Sequence, residues 1–267
     1  LEYAYNDFCA AQMAQKLVKT GDYQKYAQRS KQWVKLWDSG LTSDGFKGFI
    51  SAREPGGNFV DLDPKASMGS WKNYFYEGSS WTYSFFVPHQ ADKLIELCGG
   101  KKRFIERLQH GMEKDLVEYS NEPAFLAAHL FHHAGRPDLA RYWVHELMNN
   151  KFTLRGYPGN EDSGAMGSWY VFSALGFFPN AGQDLYYMHG PKFNKVKIRV
   201  GRDKYVTLKA EHLTEENRFV QSCEVNGKAW DQSWFTHDLI KNGAEIVFEM
   251  GAEKSNWGKE NEIPSNL

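Results

Sequence analysis

The sequence predicts a mainly α fold, a toroid of helical hairpins followed by a small antiparallel β-sheet, and three observations carry that prediction. Apolar residues recur at helical spacing through most of residues 1–182, the helical stretches come in pairs joined by short breaks, and the apolar period drops from about 3.6 to 2 after Pro179. Short-linked pairs in series, with long loops between some of them, suit a toroid better than a four-helix bundle. The chain divides on this reading into a helical domain, 1–182, and a β region, 183–267, packed on the helices.

Tyr5, Phe8, Cys9, Met13 and Leu17 open the first helical stretch, Gly21-Asp22 interrupts it, and Tyr23 to Leu36 resumes it. From Trp37 to Tyr76 the chain is rich in Gly, Ser, Asp and Pro, which predicts a long ordered loop over a functional site. Helical spacing returns from Ser79 to Leu97, stops at Gly99-Gly100 and runs through Phe104 to Leu116. A further pair, Glu122 to Ala134 and Pro137 to Met148, breaks at Gly135-Arg136-Pro137. The last helix begins after Gly164, ends at Gly176, and is apolar enough to predict burial nearly all round. Val196, Ile198 and Val200 then alternate with Lys195, Lys197 and Arg199. Val206, Leu208 and Ala210, and later Ala244, Ile246 and Phe248, repeat the pattern, and Asn226-Gly227 signals a hairpin turn.

Charge and composition narrow the function. Thirty-two Lys and Arg against 33 Asp and Glu leave no basic excess for phosphate, so nucleic acid and membrane surfaces are excluded as partners and a neutral substrate is favoured. Nine Trp and fourteen Tyr supply flat faces with polar edges, the kind on which sugars stack. Three widely spaced cysteines argue against a disulfide framework and read as small core hydrophobes. No apolar run approaches the roughly 20 residues that cross a bilayer. The first residues, Leu1-Glu2-Tyr3-Ala4-Tyr5, are already at helical spacing without a cap, as in a piece of a longer protein.

Three segments carry chemistry. Glu77 lies among aromatics in Tyr74-Phe75-Tyr76-Glu77-Gly78, where scarce water would raise its pKa and suit a general acid; the alternative is an acid that complements a helix start. Gly159-Asn160-Glu161-Asp162-Ser163-Gly164 offers Glu161 or Asp162 as a second carboxylate, kept ionised by a helix N-terminus, beside an Asn160 amide that could orient water. Capping by Asn160, Asp162 or Ser163 is the alternative. Ser120-Asn121-Glu122-Pro123 could cap a helix, grip vicinal sugar hydroxyls or hold a hard cation. Two carboxylates in opposite environments point to acid/base hydrolysis, most often of glycosides. His129, His132 and His133 share a helical face without a carboxylate at metal-ligand spacing and read as packing or surface residues, and Asp61-Leu62-Asp63 reads as a turn.

Together, Tyr76-Glu77-Gly78-x-x-Trp81 with Phe86-Val87-Pro88-His89, Asn121-Glu122-Pro123, and the stretch from Gly159 to Gly176 resemble glycoside hydrolase family 92, the calcium-dependent exo-acting α-mannosidases. The likeness runs from Leu1 to the strands near Met250. It implies part of an (α/α)6 toroid and an inverting mechanism, with Glu77 as general acid, Asp162 as general base, and Asn160, Trp81, Asn121 and Glu122 as substrate-binding residues. Asn121 and Glu122 double as ligands of a calcium ion that holds the 2- and 3-hydroxyls of mannose. The implied substrate is a mannose-containing oligosaccharide or glycoprotein glycan, the implied partner an N-terminal β-sandwich of the same chain that is missing here, and the implied location periplasmic or secreted. Some members carry Asp where this chain has Asn160, which leaves Asp162 as sole base, and some carry His in place of Asn121, which leaves the linkage open. Glu77, an acid and not an amide, favours true glycosides over mannosyl phosphodiesters. The competing readings are a non-catalytic carbohydrate-binding toroid and another (α/α)6 glycosidase, trehalase-like or acting on glucans.

Overall fold

Helices α1 (Glu2–Lys16) and α2 (Thr20–Ser30) form the first predicted hairpin in the computed structural model, which describes residues 1–67, 69–260 and 262–264. The turn falls at 17–19, where Val18 takes φ +56°, and not at Gly21-Asp22. Those two lie in the first turn of α2, where Asp22 complements the helix dipole. The described chain forms two compact units, Leu1–Ala127 and Ala128–Ile263.

In the first unit, the segment expected to be loop from Trp37 opens with an antiparallel hairpin of β1 (Trp37–Ser43) and β2 (Phe46–Ile50). Its turn is Asp44-Gly45, both at positive φ, an Asp-Gly hairpin signal hidden within a Gly- and Ser-rich stretch. Burial of Trp37, Phe46 and Phe49 holds the hairpin down. The helix expected over Ser79 to Leu97 is two, α3 (Ser80–Tyr83) and α4 (Ala91–Leu97), because Pro88 has no N–H to continue the ladder. Helix α5 (Lys101–Glu113) follows. The Arg107 guanidinium is buried among the rings of Trp37, Phe49, Trp81 and Phe85, and its Nη1 donates to the Gly48 carbonyl at 2.6 Å. Burial lowers its pKa to about 10, so it stays charged, and ring faces replace the usual carboxylate partner. At Gly48, φ +84°, a Cβ would lie 2.6 Å from the Trp37 ring, so only glycine fits.

The helix expected over Glu122 to Ala134 is instead a pair of 3-10 segments, Glu122–Ala124 and Ala127–His132. At about three residues per turn, side chains three apart fall in line. His129 and His132 consequently stack, with centroids 6.5 Å apart and planes 10° apart.

The second unit holds α6 (Pro137–Asn150) and α7 (Ala165–Leu175). Strands β3 (Phe177–Pro179), β4 (Tyr186–Met188), β5 (Lys195–Gly201), β6 (Lys204–Glu211), β7 (Phe219–Val225), β8 (Lys228–Ala229), β9 (Trp234–Phe235) and β10 (Ala244–Gly251) form two sheets, ordered β3-β4-β9 and β5-β6-β10-β7-β8. The Asn226-Gly227 turn joins β7 to β8 as predicted, both residues at positive φ. The larger sheet is mixed rather than antiparallel: β10 runs antiparallel to β7 and parallel to β6. A strand inserted between two antiparallel neighbours must run parallel to one of them. Helix α7 is not buried all round, since Ser168 and Val171 are exposed while Met166, Trp169, Ser173 and Ala174 are buried.

The core of this unit contains cations and imidazoles in place of an apolar filling alone. Buried Arg141 donates to the carbonyls of His189 (2.7 Å), Gly190 (2.6 Å) and Arg218, tying α6 to the segment after β4 and to the start of β7. Burial, then the Arg218 charge, lowers its pKa to about 9. His129 stacks on Phe178 at 4.4 Å, His132 on Tyr187 at 5.3 Å, and His189 bonds the Ser173 carbonyl at 3.0 Å. The three histidines read as packing or surface residues are thus core or core-lining.

Desolvation depresses these imidazoles, His129 and His132 far below the usual value and His189 to about 3. Neutral imidazole is the folded form. Its contribution is whole above the unfolded pKa of about 6.5 and is lost as pH falls from there toward the folded values. Urea unfolding at pH 7, 6 and 5 should show stability falling by more than about 1.4 kcal/mol per pH unit, the limit for one imidazole.

Candidate active site

The predicted acid and the predicted base lie in different units, so each is built separately. On the acid side, Asn73 pins the loop before Glu77: its Nδ2 donates to the Ala66 and Gly78 carbonyls, both at 2.8 Å, and its Oδ1 accepts from Phe75 N–H at 2.6 Å. Phe75 then stacks on Tyr83 at 4.9 Å. Gly78 follows Glu77 with φ +154° and a Cβ position 3.1 Å from Thr82, so glycine is required to bring the chain into α3. Ser79 caps α3 by accepting from Thr82 N–H, and Ser80 Oγ donates to the Ile50 carbonyl at 2.5 Å. Partly buried Glu77 therefore stands at the end of a pinned loop, outside the helix and not as its cap.

Tyr83 is a contact of Glu77 that sequence reasoning missed. Its phenol bonds the Glu77 main chain and lies near the Glu2 and Glu77 carboxylates; burial first, then the Glu2 charge, raises its pKa to about 12. Glu118 was missed as well. Its N–H donates to Thr82 Oγ1 at 3.0 Å, and burial, then Asp115, raises its carboxyl pKa.

Trp81, predicted to contact substrate, has its ring in the core of the first unit. It is fully buried, donates from Nε1 to Ser43 Oγ at 3.0 Å, and packs edge-on against Phe46 and Phe49. Its place one residue into α3 turns the ring to the core, a direction that a motif cannot display.

Asn121 and Glu122 belong to the 3-10 turn that packs against α3. Asn121 is extended and makes no side-chain cap. It is buried, and its Oδ1 has no hydrogen-bond partner among the described residues. An orphan buried acceptor is costly unless a ligand satisfies it. With the Glu122 carboxylate it makes two oxygen donors of the type calcium prefers, a partial fit to an ion that takes six to eight. Among the described residues no group of three or more His, Cys, Asp or Glu could hold a metal ion.

On the base side the alternatives separate. Glu161 caps α7: one carboxylate oxygen accepts from Gly164 N–H at 2.5 Å and the other from Gly167 N–H at 3.1 Å. None of Asn160, Asp162 and Ser163 supplies a side-chain cap. Asp162, Ser163 and Gly164 all take left-handed backbone, φ +50°, +56° and +99°. A left-handed non-glycine residue costs about 1–3 kcal/mol, and here two stand in succession. The outcome is an exposed Asp162 beside an exposed Asn160. Phe152, Tyr157, Tyr170 and Val171 line an open cleft of about 640 Å³, reached from this loop through Gly167, which lines it and bonds Glu161.

The model of the glycosyl hydrolase family 92 catalytic domain matches residues 1–252. The chain belongs to this family. A relative from Arthroderma benhamiae described as an uncharacterized secreted glycosidase is 36% identical, the match covering 100% of this chain and 37% of that protein. A family 92 α-mannosidase from Bacteroides thetaiotaomicron, solved with mannoimidazole, superposes with a TM-score of 0.89 at 26% identity over 99% of this chain and 38% of that one. An inverting family 92 mannosidase from the same organism gives a TM-score of 0.86 at 27% identity over 98% and 38%. The chain thus spans less than two-fifths of the length of each relative.

The cap assignment is testable by chemical denaturation. Glu161→Ala should destabilise the protein by about 1 kcal/mol through loss of the cap. Asp162→Asn should change stability by less than about 0.5 kcal/mol, since Asn tolerates left-handed backbone and the site is exposed.

Proposed function

We propose that this chain is the catalytic portion of an exo-acting α-mannosidase that releases terminal mannose from oligosaccharides or glycoprotein glycans with inversion. The observation that carries this reading is the division of labour in the loop before α7, where Glu161 takes the helix N-terminus and Asp162 is presented to solvent. Membership of family 92 and the likeness to its mannosidases support it. In this reading the chain is part of an (α/α)6 toroid, its site is completed by a β-sandwich elsewhere in the protein, and the protein is exported. The secreted description of the Arthroderma relative supports export. No described helix is long and apolar enough to cross a membrane.

Glu77 acts as general acid and gives its proton to the glycosidic oxygen as the bond breaks. Tyr83, bonded to the Glu77 main chain, holds that residue in place. Asp162 takes a proton from a water on the opposite face of the sugar, and Asn160, which cannot ionise, orients that water. An inverting pair needs room for it, so the two carboxyls should stand roughly 6.5–9.5 Å apart when the site is assembled. Calcium, held in part by Asn121 Oδ1 and Glu122, would anchor vicinal hydroxyls of the sugar and favour its distortion.

In the whole protein, Glu77→Gln and Asp162→Asn should each lower kcat on an α-mannobioside by about 10²–10⁴-fold, the range for a lost general acid or base. Proton NMR should show the β-anomer of mannose first. An α-anomer as first product, or full rates in both variants, would sink the scheme. Chelation with EDTA should abolish activity, and added calcium should restore it.

A further inference from the structure

Three aromatic side chains in the six residues before Glu77 are exposed, Trp71 by 89%, Tyr74 by 53% and Tyr76 by 83%. One exposed aromatic is ordinary, whereas three on one short segment mark a contact surface. The segment does not project them for want of anchorage. Asn73 staples it to Ala66 and Gly78, and Phe75, between the two tyrosines, turns inward onto Tyr83. Residues 74–76 therefore alternate out, in, out. Lys72 is paired with Asp61 at 2.5 Å, so the segment between Trp71 and Tyr76 carries no unmatched charge.

We infer that Trp71, Tyr74 and Tyr76 form a stacking platform for the leaving-group sugars of the glycan and set the enzyme's preference for oligosaccharides over simple mannosides. The inference rests on the assignment of Glu77 as general acid. A general acid touches the glycosidic oxygen and so stands at the boundary between the departing mannose and the leaving group. An exo-acting enzyme encloses the terminal sugar, which leaves the open side of that boundary to the leaving group. Aromatic faces with polar edges suit the C–H faces and hydroxyl rims of neutral sugars. The platform and the proton donor belong to one pinned segment, so a sugar stacked there would hold its glycosidic oxygen at a fixed distance from Glu77.

The test compares two substrates of the whole protein: an α-mannotrioside, which has leaving-group sugars, and α-mannosyl fluoride, which has none. Trp71→Ala and Tyr76→Ala should each lower kcat/KM on the trioside by about three- to tenfold, chiefly through KM, and leave the fluoride unchanged. Tyr76→Phe, which keeps the face, should behave as wild type. Equal losses on both substrates, a lowered melting temperature in the alanine variants, or no loss on either substrate would overturn the platform. Wild-type protein that turns over neither substrate would instead refute the mannosidase reading, and the platform with it.

Discussion

The carboxylate of Glu161 at the N-terminus of α7 is the interaction on which the candidate site depends. A helix start leaves several N–H groups without partners and attracts whichever acid can reach them. Glu161 reaches Gly164 and Gly167 because the chain between is wound left-handed through Asp162, Ser163 and Gly164. The same winding places Asp162 outside the helix and in solvent. One backbone device thus assigns two neighbouring acids to different tasks, capping to the longer side chain and exposure to the shorter. The backbone cost falls on Asp162 and Ser163, residues that gain no cap bond from it, as strain at a functional loop should.

The scaffold around the site relies on buried cations and neutral imidazoles without carboxylates beside them. Arg107 is compensated by four ring faces and one carbonyl, and Arg141 by carbonyls of four residues. Such partners are dipoles and quadrupoles, which do not titrate, so these cations lose nothing on mild acidification. The imidazoles differ, because acid itself creates the charge that their surroundings exclude. Acid sensitivity of the second unit therefore belongs to its buried histidines and not to its arginines.

On the acid side, position is achieved by backbone-directed bonds more than by packing. Asn73 closes the loop, Gly78 permits the sharp entry into α3, and Tyr83 bonds the main chain at Glu77 itself. A residue held through its main chain keeps a constant location, which suits the general acid proposed for Glu77.

The sequence by itself determined the strand-rich character of the chain beyond Pro179, the limits of α7 between Gly164 and Gly176, the Asn226-Gly227 turn, and the segments that hold the candidate acids. These follow from local rules, in which periodicity and turn chemistry depend on neighbours along the chain. Only the tertiary structure decided that Trp81 faces the core and that His129 and His132 are stacked and dry, since helical phase and burial depend on what packs opposite. The mixed sheet was equally beyond reach, because β10 lies between β6 and β7, strands that are consecutive in sequence but not paired with each other. The choice between Glu161 and Asp162 turned on three backbone angles. A sequence shows that both acids stand before a helix, but which of them reaches its N–H groups is a matter of the path the chain takes between them.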